Sequence, residues 1–122
     1  MRASKNELPM LLEAGPSQIR GADWGAMRVA VLSVPEGADF GPLLKGLPND
    51  RCPGDHWGYV IKGRLRITDA DDKDEILDAG DFYHMPPGHT GVAEVESEFL
   101  EIGEPGPHDQ FLDAARKNIA AM

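Results

Sequence analysis

The sequence predicts an all-β sandwich or barrel that ends in one short helix, and three observations carry that prediction. First, 14 glycines and 10 prolines among 122 residues punctuate the chain into short pieces. Second, the pieces between them are brief runs rich in Val, Ile, Tyr and Phe, the composition of strands. Third, beyond residue 107 the apolar spacing lengthens from two residues to that of a helix.

In chain order, residues 1–22 read as a polar, irregular N-terminal arm with one short strand near Leu11. The β-branched run over 27–34 is a strand closed by the turn Pro35-Glu36-Gly37. Residues 41–55 are broken by Gly41-Pro42, Gly46, Pro48 and Pro53-Gly54 and form a long connection, a feature often kept for function. Over 59–67, Tyr59, Ile61, Leu65 and Ile67 share one parity, and Lys62, Arg64 and Arg66 share the other. That period of two predicts a strand with the first set buried, bent at Gly63. The acidic run 69–74 is a hairpin tip, and 75–77 begins the return. Ala79-Gly80-Asp81 turns into a strand over 82–85, which Pro86-Pro87-Gly88 stops. Strands over 92–96 and 99–102 follow, separated by Ser97-Glu98. Phe111, Leu112, Ala115, Ile119 and Met122 then recur at helical spacing, with Asp109 as N-cap. The expected organisation is an arm over 1–22, one domain over 23–107 and a helix over 108–122, packed on the domain or on a partner subunit.

Charge narrows the function. With 12 basic against 21 acidic residues the net charge is −9, which repels nucleic acid phosphates and anionic lipid, so neither is an expected partner. The single cysteine, Cys52, excludes an internal disulfide framework and fits a reducing compartment. No long apolar stretch reads as a leader or membrane span, so the expected location is the cytoplasm. A domain of this size keeps much of its surface wet, and a homodimer is expected. A Gly-rich phosphate loop, a serine nucleophile elbow, Cys-x-x-Cys and His-Glu-x-x-His are all missing, which leaves covalent and nucleotide-dependent mechanisms without a basis.

The stretch His56-Trp57-Gly58-Tyr59-Val60-Ile61-Lys62-Gly63-Arg64-Leu65 resembles the first motif of the cupin superfamily. Gly80-Asp81-Phe82-Tyr83-His84-Met85-Pro86-Pro87-Gly88-His89 resembles the second, with its Gly-Asp start and Pro-x-Gly turn. Upstream, Phe40-Gly41-Pro42-Leu43-Leu44-Lys45-Gly46-Leu47-Pro48 is similar to a branch of small single-domain cupins of mostly unassigned activity. The resemblance implies a jelly-roll β-sandwich or barrel around a ligand cavity. In that family a bound metal usually takes two histidines and a glutamate from the first motif and one histidine from the second. Counted back from Gly63, the glutamate place falls on His56 and the histidine places on Cys52 and Asp50. Counted forward from Gly80, the second-motif place falls on Gly91, with His89 two residues short. None of the four usual identities is in place.

The replacements still carry chemistry. Asp50, Cys52 and His56 share parity, and carboxylate, thiolate and imidazole all ligate transition metals. His84 and His89 flank the Pro-Pro-Gly turn. The candidate metal residues are therefore His56, His84, His89 and Cys52, for one divalent transition metal: iron, nickel, manganese or zinc. Against this, Pro53-Gly54 interrupts the shared parity, a histidine in a turn is commonly solvated, and a lone cysteine commonly packs as a small hydrophobe. Trp57, Tyr59, Phe82 and Tyr83 are candidates for an aromatic pocket wall, the plain alternative being core packing. Arg64 and Arg66 are expected to pair with acids on the next strand. The leading expectation is a protein that binds a small molecule in its barrel cavity, with no activity assignable. The competing readings are a metal-dependent oxygenase or isomerase using a rearranged histidine site, and an assembly protein.

Overall fold

The computed structural model describes residues 1–122. Nine strands and one helix follow in order: β1 Met10–Ala14, β2 Ser17–Trp24, β3 Met27–Val34, β4 His56–Lys62, β5 Arg64–Thr68, β6 Asp74–Asp78, β7 Phe82–Met85, β8 Thr90–Ala93, β9 Ser97–Gly103 and α1 Pro105–Ala120. They form an antiparallel six-stranded sheet, ordered β1-β2-β3-β9-β4-β7, and a three-stranded sheet, ordered β6-β5-β8. The chain is thus mostly β with a single C-terminal helix.

The arm expected over 1–22 is not an arm. β1 and nearly all of β2 lie in that span, joined by the two-residue turn Gly15-Pro16, and β2 continues to Trp24. Gly15 has φ +57°, the left-handed conformation that such a turn requires and glycine adopts freely. Proline and glycine read as loop signals here because they punctuate a meander of short strands. The helix starts at Pro105, with Glu104 as its N-cap, so Asp109 lies inside its first turns. Asp109 instead accepts from Arg28 Nη1 at 2.7 Å. Phe111, Leu112 and Ala115 are buried in the chain's own core, whereas Met122 is exposed.

The alternation over 59–67 is real but changes hands midway. In β4 it is Val60 that is fully buried, while Ile61 is exposed. In β5 it is Leu65 that is buried. Gly63, at φ +92°, ends one strand and starts another in the other sheet, and the pairing of β4 with β9 slips between Val60 and Lys62. A shift of one residue exchanges the two faces. Arg64 pairs across strands with Asp78 at 2.7 Å, and Arg66 with Glu94 at 3.3 Å, as expected. The expected strand over 92–96 begins earlier, at Thr90, and Ser97-Glu98 starts β9 instead of separating two strands.

Both sheets and α1 contribute to one core. Val60, Leu65, Phe99, Leu44 and Ala115 are each at most 2% exposed. Leu44 comes from the long connection, whose short turn Gly41–Leu44 packs beside α1.

Candidate functional site

A cavity opens between the two sheets, walled by Leu32 and Phe99 from the large sheet, Leu65 and Ile67 from the small one, and Phe40 and Phe111 beyond them. Its free volume is about 40 Å³. That is room for two or three waters, or for one compact molecule that displaces them. One end of this apolar chamber is polar: Cys52, His56, His89, Thr90, Glu101 and His108 line it.

Local backbone geometry assembles that end. The chain around Cys52 bridges to the segment before β8, with Cys52 N donating to the His89 carbonyl at 2.9 Å and Gly88 N to the Cys52 carbonyl at 2.8 Å. This clamp replaces the unbroken strand that shared parity had suggested for residues 50–56. Gly54 makes room within it, since a Cβ there would stand 2.5 Å from His56 Nε2. Cys52 Sγ lies 3.6 Å from His56 Nε2, and the ligand atoms of Cys52, His56 and His89 all lie within 4.8 Å of one another.

Hydrogen bonding arranges the imidazole protons. His89 Nδ1 lies 2.7 Å from the Pro86 carbonyl. A carbonyl only accepts, so Nδ1 carries the proton and Nε2 keeps its lone pair. His56 Nδ1 faces the Glu101 carboxylate at 4.0 Å, an orientation that favours the proton on Nδ1 and leaves Nε2 free toward Cys52. His108 is the opposite case. Its Nδ1 accepts from Arg28 Nη1 at 3.1 Å, because guanidinium only donates. The proton is therefore on Nε2, which is buried without a partner. Thr90 Oγ1 is buried without a partner as well.

The charges follow from burial. Burial, then the charges of His56 and Arg28, push His108 down to about 4. Burial also lowers His89, and it raises the Cys52 thiol to about 12. Arg28 is held by Asp23 at 2.7 Å and Asp109 at 2.7 Å, away from the chamber. At neutral pH His108, His89 and the Cys52 thiol are therefore uncharged, and they offer neutral donors and acceptors to the chamber.

Of the sequence candidates, the structure brings together Cys52, His56 and His89. His84 lies elsewhere. β7 alternates, so Tyr83 and Met85 point inward while Phe82 and His84 point out. His84 Nε2 donates to Asp55 at 2.7 Å on that outer face, and its ring stacks on Trp57. Asp50 is exposed and accepts from Gly46 N. The expected aromatic wall is also corrected: Trp57, Tyr59 and Phe82 stand on the outer face by the same alternation. Tyr83 is buried, but its hydroxyl donates to the Leu100 carbonyl at 2.7 Å and it does not line the chamber. The aromatic wall is Phe40, Phe99 and Phe111 instead. Sequence reasoning missed Glu101, His108 and Thr90. Two of these had a signal: Glu101 shares parity with Phe99 in β9, and His108 precedes Phe111 and Leu112 by three and four residues on one helix face.

The fold is thus an antiparallel sandwich with a histidine-lined chamber between its sheets. Residues 45–93 match the family described as the cupin domain. Over that span the chain is similar to the cupins. Similar solved structures include an RmlC-like cupin from Shewanella frigidimarina, at 15% identity and TM-score 0.64, covering 88% of this chain and 93% of that one. KdgF from Halomonas sp. aligns at 21% identity and TM-score 0.62, over 88% and 94%. Oxalate decarboxylase from Bacillus subtilis aligns at 20% identity and TM-score 0.60, over 84% of this chain and 28% of that one. At these identities the fold is what is shared. Among curated proteins no sequence matches this chain.

Proposed function

We propose that this protein is a jelly-roll cupin whose chamber binds a compact, uncharged small molecule. The observation that carries this reading is the pair of orphaned polar atoms on one wall, Thr90 Oγ1 and His108 Nε2. A buried polar group without a partner costs about 1–3 kcal/mol, and two that line one small chamber are supplied by a ligand or by water. The apolar walls select a hydrophobic body, and the orphans select an acceptor for His108 and a donor or acceptor for Thr90. A carboxylate ligand is disfavoured, because Glu101 lines the wall and no lysine or arginine does. The acidic balance and the single thiol support a cytoplasmic setting, and no helix is long and apolar enough to cross a membrane. Neither the fold nor its relatives assign a reaction.

The pair isopropanol and acetate, both within the size of about two or three waters, tests this by NMR titration. The alcohol is expected to bind at least tenfold more tightly; tighter binding of acetate would overturn the reading.

A second reading is favoured by the imidazole protons. His56 and His89 both turn unprotonated nitrogens toward Cys52, each with its remote nitrogen facing a carboxylate or carbonyl, the supporting arrangement that metal-bound histidines usually have. The residues fit a divalent transition metal. Cys52, His56 and His89 would hold it, and the sulfur and two nitrogens suit zinc or iron better than manganese. Such an ion would supply a Lewis acid beside the chamber, as an isomerase or oxygenase needs. Elemental analysis by inductively coupled plasma mass spectrometry decides it. Metal is expected to be retained in His84→Ala and lost in Cys52→Ala; equal metal content in the two variants would refute the set.

A further inference from the structure

A three-stranded sheet cannot cover a six-stranded one, and α1 with the Gly41–Leu44 turn closes over only part of the remainder. A groove of about 440 Å³ is left between them, against about 40 Å³ for the chamber. Its floor is the inward face of β1, β2 and β3, where Leu12, Ile19 and Val34 are buried. Ala38, Phe40 and Leu43 from the long connection form one side, and Ile119 from α1 forms another. Phe40 lines the chamber as well, with its ring edge-on to Phe99 at 6.4 Å, and stands between the two spaces.

The walls are fixed without an occupant. Phe40 N donates to the Gly91 carbonyl at 3.0 Å and Ala93 N to the Ala38 carbonyl at 2.8 Å, which pins the connection beside β8. Asn118 Nδ2 donates to the carbonyls of Leu43 at 2.8 Å and Lys45 at 2.9 Å, which ties the end of the helix to the connection. Arg116 Nη2 donates to the Leu11 carbonyl at 2.8 Å and ties the same helix to β1. A preformed apolar hollow of several hundred Å³ with a few polar groups is the usual form of a small-molecule site.

We propose that this groove binds a hydrophobic amine in its ammonium form. Charge decides the class of ligand. Ser17 and Asp39 are the polar side chains of the lining, and Asp39 is the charged one. One Asp39 oxygen accepts from Gly41 N at 2.8 Å; the carboxylate forms no ion pair, and its second oxygen is open to a donor. No lysine or arginine lines the groove to compete for Asp39 or to receive an anion. The net charge of −9 draws cations toward the surface as a whole. The apolar floor takes the hydrocarbon body, and the ammonium donates to Asp39 in a charge-assisted hydrogen bond. A neutral alcohol of the same shape gains the burial alone, and a carboxylate meets Asp39 with the same sign.

NMR titration of the isotope-labelled protein with phenethylamine, phenethyl alcohol and phenylpropanoate reads site and class together. The amine is expected to bind most tightly and the carboxylate least, with shifts at Ala14, Ala38 and Ile119 and none at Thr90 or His108. Asp39→Asn keeps the oxygen that accepts from Gly41 N, so the turn stays intact. It is expected to weaken the amine about three- to fivefold, the scale of a solvent-exposed ion pair, and to leave the alcohol unchanged. Added salt is expected to weaken the amine alone. Amine affinity that neither Asp39→Asn nor salt changes, phenylpropanoate binding as tight as the amine's, or shifts confined to the chamber would each overturn the proposal. So would a chain at twice its 13.3 kDa mass that binds no amine, since a second copy would then cover the groove.

Discussion

Three imidazoles meet at the polar end of the chamber, and their neighbours give them different protons. His56 and His89 have ring centres 5.1 Å apart, and His56 and His108 have theirs 6.0 Å apart. The Pro86 carbonyl leaves His89 an acceptor toward the chamber, whereas Arg28 makes His108 a donor. His108 also ties stability to pH. The unfolded chain protonates this imidazole near pH 6.5, while the folded one refuses the proton until about 4. Stability is therefore fully present above pH 6.5 and falls as the pH is lowered through that window. At about 1.4 kcal/mol per pH unit the loss reaches roughly 3 kcal/mol by pH 4. Denaturant unfolding at pH 7 and pH 4.5 is expected to show a drop about 2 kcal/mol larger in the wild type than in His108→Phe, and equal drops would refute the role. Half of this constellation could be read from the sequence. Cys52, His56 and His89 announced themselves by type, through a resemblance that pointed to their region. Glu101 had only its shared parity with Phe99, a signal that becomes readable once the strand's inward face is known. His84 was misplaced for a related reason: the side of the sheet depends on where a four-residue strand starts.

At the scale of elements, Gly63 decides which side chains form the core. At φ +92° it turns the chain from the large sheet into the small one, so that Val60 and Leu65 both point inward although their parities differ. The alternation over 59–67 was therefore visible in the sequence, but its hand was not. A Cβ at this position would stand 2.2 Å from Ser97 Oγ and 2.4 Å from the Glu96 carbonyl. Ser97 Oγ also accepts from Arg64 N at 3.1 Å, so the clash would fall on the contact that joins the sheets. Gly63→Ala is expected to cost about 2–4 kcal/mol, the sum of a left-handed backbone and a steric clash. Urea unfolding measures it, and a loss below about 0.5 kcal/mol, the scale of ordinary surface substitutions, would contradict the assignment. The terminal helix was visible for the opposite reason. Phe111, Leu112 and Ala115 repeat at helical spacing whatever happens around them; only its start, masked by Pro105 and Pro107, was read late.

Across the whole molecule, apolar surface falls in separate places. The inner faces of the sheets enclose a chamber, and the outer face of the larger sheet leaves Trp57 and Phe82 exposed. The long connection over 41–55 contributes to the first, since it brings Leu44 and Cys52 to the wall. Its punctuation by glycine and proline makes it legible in the sequence as a long connection, but not its place at the wall. The orphaned atoms could not be read in advance, because whether a threonine or histidine lacks a partner is a property of the folded neighbourhood. They also set function against stability. An orphaned hydroxyl weakens the empty protein, so Thr90→Val is expected to stabilise it by about 1 kcal/mol while removing a ligand contact.

The most direct test measures both quantities on one pair of samples: unfolding free energy without ligand, and isopropanol affinity, for the wild type and Thr90→Val. The expected result is a variant that is more stable when empty and binds the alcohol at least tenfold more weakly. A variant that is less stable and binds as well as the wild type would show that Thr90 is satisfied within the protein, and would contradict a chamber built for a ligand.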